Sequence, residues 1–390
     1  MVEWKEYRIK DLGEVVTGNT PPTSNREYYG TEYKFIKPTD MVEGQRFVST
    51  TEEYYSELAY QKYKKCLLPP KTPCVVTIGS LGKKMCLTDT ECFTNQAVNA
   101  VIPNKENDGE FLYYAFKASV LAYVKQLDSG TTSGRENVSK SSFSKIKVRV
   151  PPLPTQQKIA SILSAYDNLI QNYKKQIEAL QTAASELYKE WFVRFRFPGH
   201  ENVEMENGLP KGWKRGSLSD VCEFKRGKNI TSSEMQEGNV PVISAGLEPS
   251  GYHSCSNVRG VNVTMSSSGA NAGYIAIHYS DIWAADCSYI EESTTGNIYY
   301  VYELLNNIRT VINNFQRGAA QPHVYPKDVN RIKLILPSKE LMLKANGRLE
   351  IMHKEIYNLQ KQNSLLARQR DLLLPRLMSG KLEVKEELLE

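Results

Sequence analysis

The 390-residue chain is poor in the side chains that carry most covalent chemistry. Its five histidines, at 200, 253, 278, 323 and 353, stand singly, and its seven cysteines, at 66, 74, 86, 92, 222, 255 and 287, include no C-x-x-C pair. An odd, unpaired cysteine set argues against a disulfide framework and against a structural zinc site, leaving reduced thiols in a cytoplasmic protein as the expectation. Isolated histidines suit surface or core positions better than metal ligation or general-base catalysis. No G-x-x-x-x-G-K-[ST] loop is present. The nearest stretch, Ile78 to Lys84, has the wrong spacing and lacks the hydroxyl that would sit beside Mg²⁺. G-x-G-x-x-G, H-E-x-x-H and [DN]-P-P-[YF] are also missing. Residues 1–10 mix charges with no apolar run behind them, which speaks against a signal peptide and a spanning helix. The expectation is a chain with no catalytic residues, no metal and no cofactor of its own, and no membrane partner.

Charge of one sign is scarce as well. Forty-nine Lys and Arg against 44 Asp and Glu leave a net charge of +5, and no segment is polybasic. Binding to nucleic acid through the phosphate backbone alone should therefore be weak, and a basic partner would have to help.

What the sequence does have is a repeat. Trp4-Lys5, Asp11 to Val15 and Gly18 return as Trp213-Lys214, Asp220 to Phe224 and Gly227, at a constant offset of 209. Further on, Ser129-Gly130, Val138 and the run Lys145 to Pro151 return as Arg317-Gly318, Val324 and Arg331 to Pro337, where the offset is 188 falling to 186. The second copy is therefore shorter by about twenty residues. Within each copy, short β-branched and aromatic runs (Phe35-Ile36, Cys74–Ile78, Ala97–Ile102; Val240–Ile243, Asn262–Met265, Tyr274–Ile277) are punctuated by Gly, Pro, Asn and Ser, so they read as strands. One helix per copy is expected, near Gly109–Leu127 and Tyr300–Phe315. The fold class is α+β, with globular domains over 1–150 and 213–337.

Each domain is followed by a segment of a different kind. Ile159, Leu163, Tyr166, Ile170, Tyr173, Ile177, Leu180, Leu187 and Trp191 lie on a heptad seam, as do Met352, Ile356, Leu359, Leu366 and Leu373. A spacer helix is expected within 151–197, and a second spacer helix with a C-terminal tail within 338–390, with a linker at 198–212 and Pro375 as the second helix's stop. At 1.5 Å per residue, Gln156 to Phe195 would span roughly 60 Å. Each seam is the other's natural partner. Duplication suggests a pseudo-twofold, antiparallel coiled coil separating the two domains. Asn363 and Arg370 interrupt the second seam, either setting its register or facing solvent or another subunit.

Polar, basic, glycine-rich loops recur in matched places. Thr20, Ser24, Asn25 and Arg26 lie in the first, which corresponds to a loop with Arg226, Lys228 and Asn229. Lys83 and Lys84 follow the glycines of Ile78–Lys84, which resembles the stretch with Ser267 and Asn271. Thr132, Arg135 and Asn137 correspond to Arg317, Gln321 and His323. Guanidinium groups fork onto guanine or phosphate, carboxamides pair with adenine, and hydroxyls suit either. Taken singly each loop reads as ordinary solvated surface; duplicated, the set reads as a DNA contact.

Pro152-Leu153-Pro154 with Gln156-Gln157, Ile159-Ala160, Leu163, Asp167 and Ile170 resembles the conserved region of the specificity subunits of type I restriction-modification systems. Leu187-Tyr188-Lys189 with Trp191-Phe192-Val193, Gly208 to Trp213, and Leu373 to Leu377 with Ser379-Gly380 extend the likeness along the whole chain. Ser338-Lys339-Glu340-Leu341 departs from the Pro-x-x-x-Gln-Gln pattern of the first copy. The resemblance implies two target recognition domains, each reading one half of a bipartite double-stranded DNA site, with the helix pair as the ruler between them. It also implies methyltransferase subunits, usually two, and restriction subunits as partners. S-adenosylmethionine, ATP and Mg²⁺ would belong to those partners. A specificity module of another class of nuclease-methyltransferase and a coiled-coil protein adaptor are the competing readings.

Overall fold

The computed structural model describes residues 3–127, 136–318 and 322–384. The chain divides into two compact units, Met1–Asn172 with Asn363–Glu390, and Tyr173–Gln362. No helix among the described residues is long and apolar enough to cross a membrane.

In the first unit, Lys5–Arg8 pairs antiparallel with Lys147–Val150, whose residues alternate exposed and buried as the basic/β-branched alternation predicts. A four-stranded antiparallel sheet runs in the order Gly13–Thr17, Val98–Pro103, Pro73–Val76, Met85–Leu87. A further sheet runs Tyr29–Gly30, Glu53–Tyr55, Tyr33–Ile36, Cys92–Thr94, with its last pair parallel. The second unit repeats this plan with fewer residues. Lys214–Ser217 pairs with Lys333–Leu336. Lys225–Arg226, Cys287–Glu291, Asn262–Ser266 and Ile275–His278 form the four-stranded sheet. Gly251–His253, Val240–Ile243 and Trp283–Ala284 form the mixed one, again with a parallel last pair. The four-stranded sheets share one strand order, and the mixed sheets share theirs apart from Tyr29–Gly30, which only the first unit has, so the duplication read from the sequence is a duplication of topology.

Each unit has one principal helix segment against its four-stranded sheet. Gly109–Ala115 continues through a π-helical turn, Phe116–Val120, into Leu121–Gln126. Its counterpart is Ile298–Asn307 followed by Arg309–Asn313. Phe111, Leu112, Tyr113, Tyr114 and Phe116 are buried on the first, as are Ile298 to Val301 and Leu304-Leu305 on the second. Tyr28, Tyr55, Tyr299 and Tyr300 are core residues.

The two long helices are Leu153–Tyr188, extended by a π-helical turn at Lys189–Val193, and Lys339–Met378. Within the first unit, Ile159, Ala160 and Leu163 share a cluster with Leu374 and Leu377, and Arg370 meets Asp167. Rising numbers on one helix thus face falling numbers on the other, an antiparallel pairing. Within the second unit, Ala184, Tyr188 and Trp191 share a cluster with Met342, Ala345 and Leu349, and the Arg348 guanidinium lies 5.2 Å from the Trp191 ring centroid.

The seam differs in detail from the heptad reading. Ile159, Leu163, Ile170, Trp191, Ile356 and Leu359 are buried, whereas Tyr166, Tyr173, Ile177, Leu180, Leu187, Met352, Leu366 and Leu373 are half-buried. Ala184, at the seam's spacing, is buried, whereas near the helix ends Tyr188 is buried rather than Leu187, and Leu374 and Leu377 rather than Leu373. A straight helix drifts by about 20° per heptad, which moves the contact line by one residue over this length. Pro375 does not stop the second helix, which continues to Met378. The ring removes one amide donor, and burial of Leu374 and Leu377 holds the last turn in place. At the other end the Ser338 hydroxyl accepts from Leu341 N (3.2 Å), an N-cap that replaces the glutamine pattern of the first copy.

Two buried carboxamides attach the long helices to the domain helices. Gln156 Oε1 accepts from Asp108 N (2.9 Å), and its Nε2 donates to Pro151 O (2.9 Å), Asn107 Oδ1 (3.2 Å) and Glu106 O (3.3 Å). Asn346 Oδ1 accepts from Tyr299 N (3.1 Å) and Tyr300 N (3.2 Å). Both occupy the N-terminal end of a domain helix, where backbone donors have no intrahelical partner. Replacing Gln156 by Leu strands several buried polar groups and should cost about 2–4 kcal/mol. Hydrogen exchange should then lose protection over Gly109–Gln126 and keep it over Ile298–Asn307; equal loss in both helices would contradict this local role.

Candidate nucleic-acid interface

Five backbone segments are joined in each unit by the same five hydrogen bonds. In the first unit they are Gly18 N to Val98 O (3.3 Å), Asn19 N to Thr94 O (2.9 Å), Asn95 N to Ile36 O (3.3 Å), Gly79 N to Glu136 O (2.9 Å) and Val138 N to Thr77 O (2.8 Å). In the second they are Gly227 N to Cys287 O (2.8 Å), Lys228 N to Ala284 O (2.9 Å), Ala285 N to Ile243 O (2.8 Å), Gly269 N to Pro322 O (3.0 Å) and Val324 N to Ser267 O (3.0 Å). Gly18 and Gly227 are required by close approach. A Cβ at Gly18 would lie 2.0 Å from Thr94 O, and one at Gly227 would lie 2.4 Å from Ala285 O. Gly79 and Gly269 have φ of +89° and +74°, the left-handed region that favours glycine.

This frame brings together the three loops of each copy. In the first unit, Ser24, Asn25, Arg26 and Lys83 are exposed, while Thr20 is half-buried with its hydroxyl bonded to Gln96 Oε1. Asn137 pairs with Ile78 in an isolated bridge. Lys84 departs from the surface role: its ammonium donates to Pro38 O (2.8 Å), because the left-handed turn at Gly82 directs the chain back into the sheet. In the second unit, Arg226, Lys228 and Asn229 are exposed, and Ser267, Asn271 and His323 are half-buried. The Arg317 guanidinium is exposed but paired with Asp328 (2.9 Å). Thr132, Arg135 and Gln321 lie outside the described residues.

Several polar groups of this frame carried no loop signature. Asn99 accepts from Thr17 Oγ1 (2.5 Å) and donates to Thr77 Oγ1 (2.9 Å), tying two strands together beneath the first loop set. Beneath the second, Ser268 donates to Asp286 Oδ2 (2.6 Å) and Trp283 Nε1 donates to Lys228 O (2.9 Å). Asn257 bonds both the amide and the carbonyl of Ala284 (2.7 and 2.9 Å). A polar residue inside an apolar strand, as in Val98-Asn99-Ala100-Val101, was the one available signal.

No group of three His, Cys, Asp or Glu among the described residues is arranged to hold a metal ion, and all seven cysteines are free thiols. The surface on offer consists of glycine-freed amides, hydroxyls, carboxamides and cations. It can form hydrogen bonds and neutralise charge.

The family model described as type I restriction modification DNA specificity domain matches residues 1–182 and 210–363. The chain belongs to this type I DNA specificity family. Among its relatives, the type I restriction enzyme MjaIX specificity subunit of Methanocaldococcus jannaschii is 28% identical, over 98% of this chain and 94% of the relative. The HindI specificity subunit of Haemophilus influenzae is 35% identical over 43% of this chain and 38% of its own length. The crystal structure of the type I restriction-modification S subunit from M. genitalium has the same fold, with a TM-score of 0.70 at 22% identity and 96% coverage of both chains. The matched regions fall on the two duplicated copies, so the specificity domain occurs twice here.

One histidine in the second specificity domain makes its stability depend on pH. His278 shares a hydrogen bond with Thr264 Oγ1 (2.8 Å), and burial lowers its pKa from 6.5 to about 4. Between those values the unfolded chain takes up a proton that the folded chain refuses. The stabilisation is therefore complete above pH 6.5 and is lost as the pH falls through about 4, amounting to about 3 kcal/mol at most. His278→Gln should flatten the fall in melting temperature between pH 7.5 and 4.5; an unaltered fall would exclude His278 as its source.

Proposed function

We propose that this chain is the non-catalytic DNA-reading subunit of a cytoplasmic type I restriction-modification complex. Each loop set reads one half of a bipartite double-stranded site, and the long helices fix the spacing and dock the modification subunits, two per chain. Restriction subunits complete the assembly. S-adenosylmethionine, ATP and Mg²⁺ belong to the partners, which perform the methyl transfer on a base taken out of the stack and the ATP-driven steps.

The observation that carries this reading is the repeated five-bond frame with different side chains on it. The same backbone geometry presents Asn19 and Thr20 in one unit and Lys228 and Asn229 in the other. A conserved frame with exchangeable hydrogen-bonding groups is what two readers of different base sequences need.

Arg226→Ala with Lys228→Ala should relax recognition at one half-site, by about 1–3 kcal/mol of discrimination for each base edge no longer read, and leave the other half unchanged. Mapping N6-methyladenine across the host genome reads both halves together; equal relaxation of both would refute separate reading. Inserting one heptad between Tyr173 and Leu187 should lengthen the unread spacer or abolish methylation. A methylated site of unchanged length would count against the helices as ruler.

A further inference from the structure

The extra length of the first copy is confined and has its own chemistry. Between the matched strands the first unit has residues 37–52 where the second has 244–250, and 56–72 where the second has 254–261. The 56–72 segment holds the helix Glu57–Tyr63 and the turn Lys64–Cys66, with Lys62, Lys64 and Lys65 in close succession. Its shorter counterpart carries one basic residue, Arg259.

This helix is anchored beside the first loop set. The Ser56 hydroxyl caps Ala59 N (3.3 Å) and donates to Glu27 O (2.6 Å), joining the helix to the Arg26–Tyr28 turn that ends the first loop. Lys62 Nζ donates to Tyr28 OH (2.7 Å) and sits 4.5 Å from that ring's centroid, and Lys64 Nζ lies 5.6 Å from the Tyr60 centroid. Beneath them Tyr60 stacks on Tyr33 at 4.8 Å, and Tyr63 packs edge-on to Tyr28 at 5.8 Å. On the opposite side, Lys140 opens the short helix Lys140–Ser144, just after Val138 of the five-bond frame. Its charge reaches the Cys66 thiol, opposing the upward push of burial on that group. Arg26, Lys64, Lys65 and Lys140 are exposed, and no carboxylate among the described residues forms an ion pair with them. Three acids lie close by: Glu57 bonds Tyr33 OH (3.1 Å) and Gln61 Nε2 (2.9 Å), Glu27 remains exposed in the turn, and Glu91, also exposed, acts on the Tyr33 phenol through its charge.

We infer that Lys64 and Lys65, with Arg26 and Lys140 on either side, form an accessory rim that holds the phosphodiester backbone of duplex DNA next to the site read by the first loop set. Lys64, Lys65 and Lys140 are point charges without the planar fork that reads guanine, so these three contribute affinity without sequence preference beside Arg26 of the reading loop. The second unit lacks the segment, which makes the two units unequal: the first supplies more of the salt-dependent binding. This rests on the DNA-reading function proposed above.

The test uses the full chain with its cognate modification subunit, bound to a labelled duplex with the recognised site and to one without it, between 50 and 200 mM salt. Lys64→Ala with Lys65→Ala should lower the slope of log affinity against log salt by about 2 and weaken binding at low salt by about tenfold, equally on both duplexes. The genomic methylation pattern should keep its sequence. Lys10→Ala with Lys105→Ala removes the same charge elsewhere in the first unit and should leave the slope unchanged. An unchanged slope in the first variant, a loss confined to the recognised duplex, or an equal fall in the control would overturn the rim alone. Failure of the unsubstituted complex to bind either duplex would overturn the DNA-reading function, and the rim with it.

Discussion

The buried carboxamides of Gln156 and Asn346 are what the arrangement of each unit depends on. A helix end leaves backbone donors unpaired, and a donor buried without a partner costs about 1–3 kcal/mol. Here the missing acceptor is on a different element, the long helix, so each domain helix is complete only when the long helix is in place. The domain helix in turn backs the four-stranded sheet, and the loop frame hangs from that sheet's strands. A reading surface positioned in this way cannot rotate on its long helix without unsatisfying buried polar groups.

A second polar contact stands two or three helix turns further along, and its chemistry is reversed between the copies. Asp167 and His353 follow Pro151 and Pro337 at the same step. In the first unit the carboxylate is on the long helix: Asp167 accepts from Tyr114 OH (2.6 Å) and from Arg370 Nη1 (2.5 Å). In the second the carboxylate is on the domain helix: Glu303 meets His353 Nε2 (3.0 Å), whose Nδ1 meets Tyr279 OH (2.9 Å). Arg370, an interruption when read as part of a seam, is therefore a buried partner of Asp167. Nearby Lys117 has its pKa lowered by burial and by the Arg370 charge. Two copies that share a fold thus hold their long helices by different polar contacts.

The division between frame and surface side chains lets one topology carry two different sets of hydrogen-bonding groups. Glycines at 18, 79, 227 and 269 satisfy backbone demands common to both copies, and the side chains between them are under no such constraint. The mild net charge fits this division. Discrimination by hydrogen bonding needs few charges.

Much of the molecule was legible in the sequence because it depends on local periodicity. The duplication, the short strands, the domain helices and the two heptad helices follow from patterns of two, three and four residues, which report local backbone geometry directly. The matched glycine loops were legible for the same reason, since a left-handed turn selects its residue. What only the tertiary structure decided concerns pairs distant in the chain. Lys84 reads as a free cation until Pro38 is beside it, Arg370 as a seam defect until Asp167 faces it, and Asn99 as one more strand residue until Thr17 and Thr77 close on either side. The end of the second helix belongs here too, because burial of Leu374 and Leu377 outweighs the local cost of Pro375. A sequence states a side chain's capacity for hydrogen bonding and charge. Which capacity is spent inside the fold and which is left on the surface is settled by the neighbours that folding supplies.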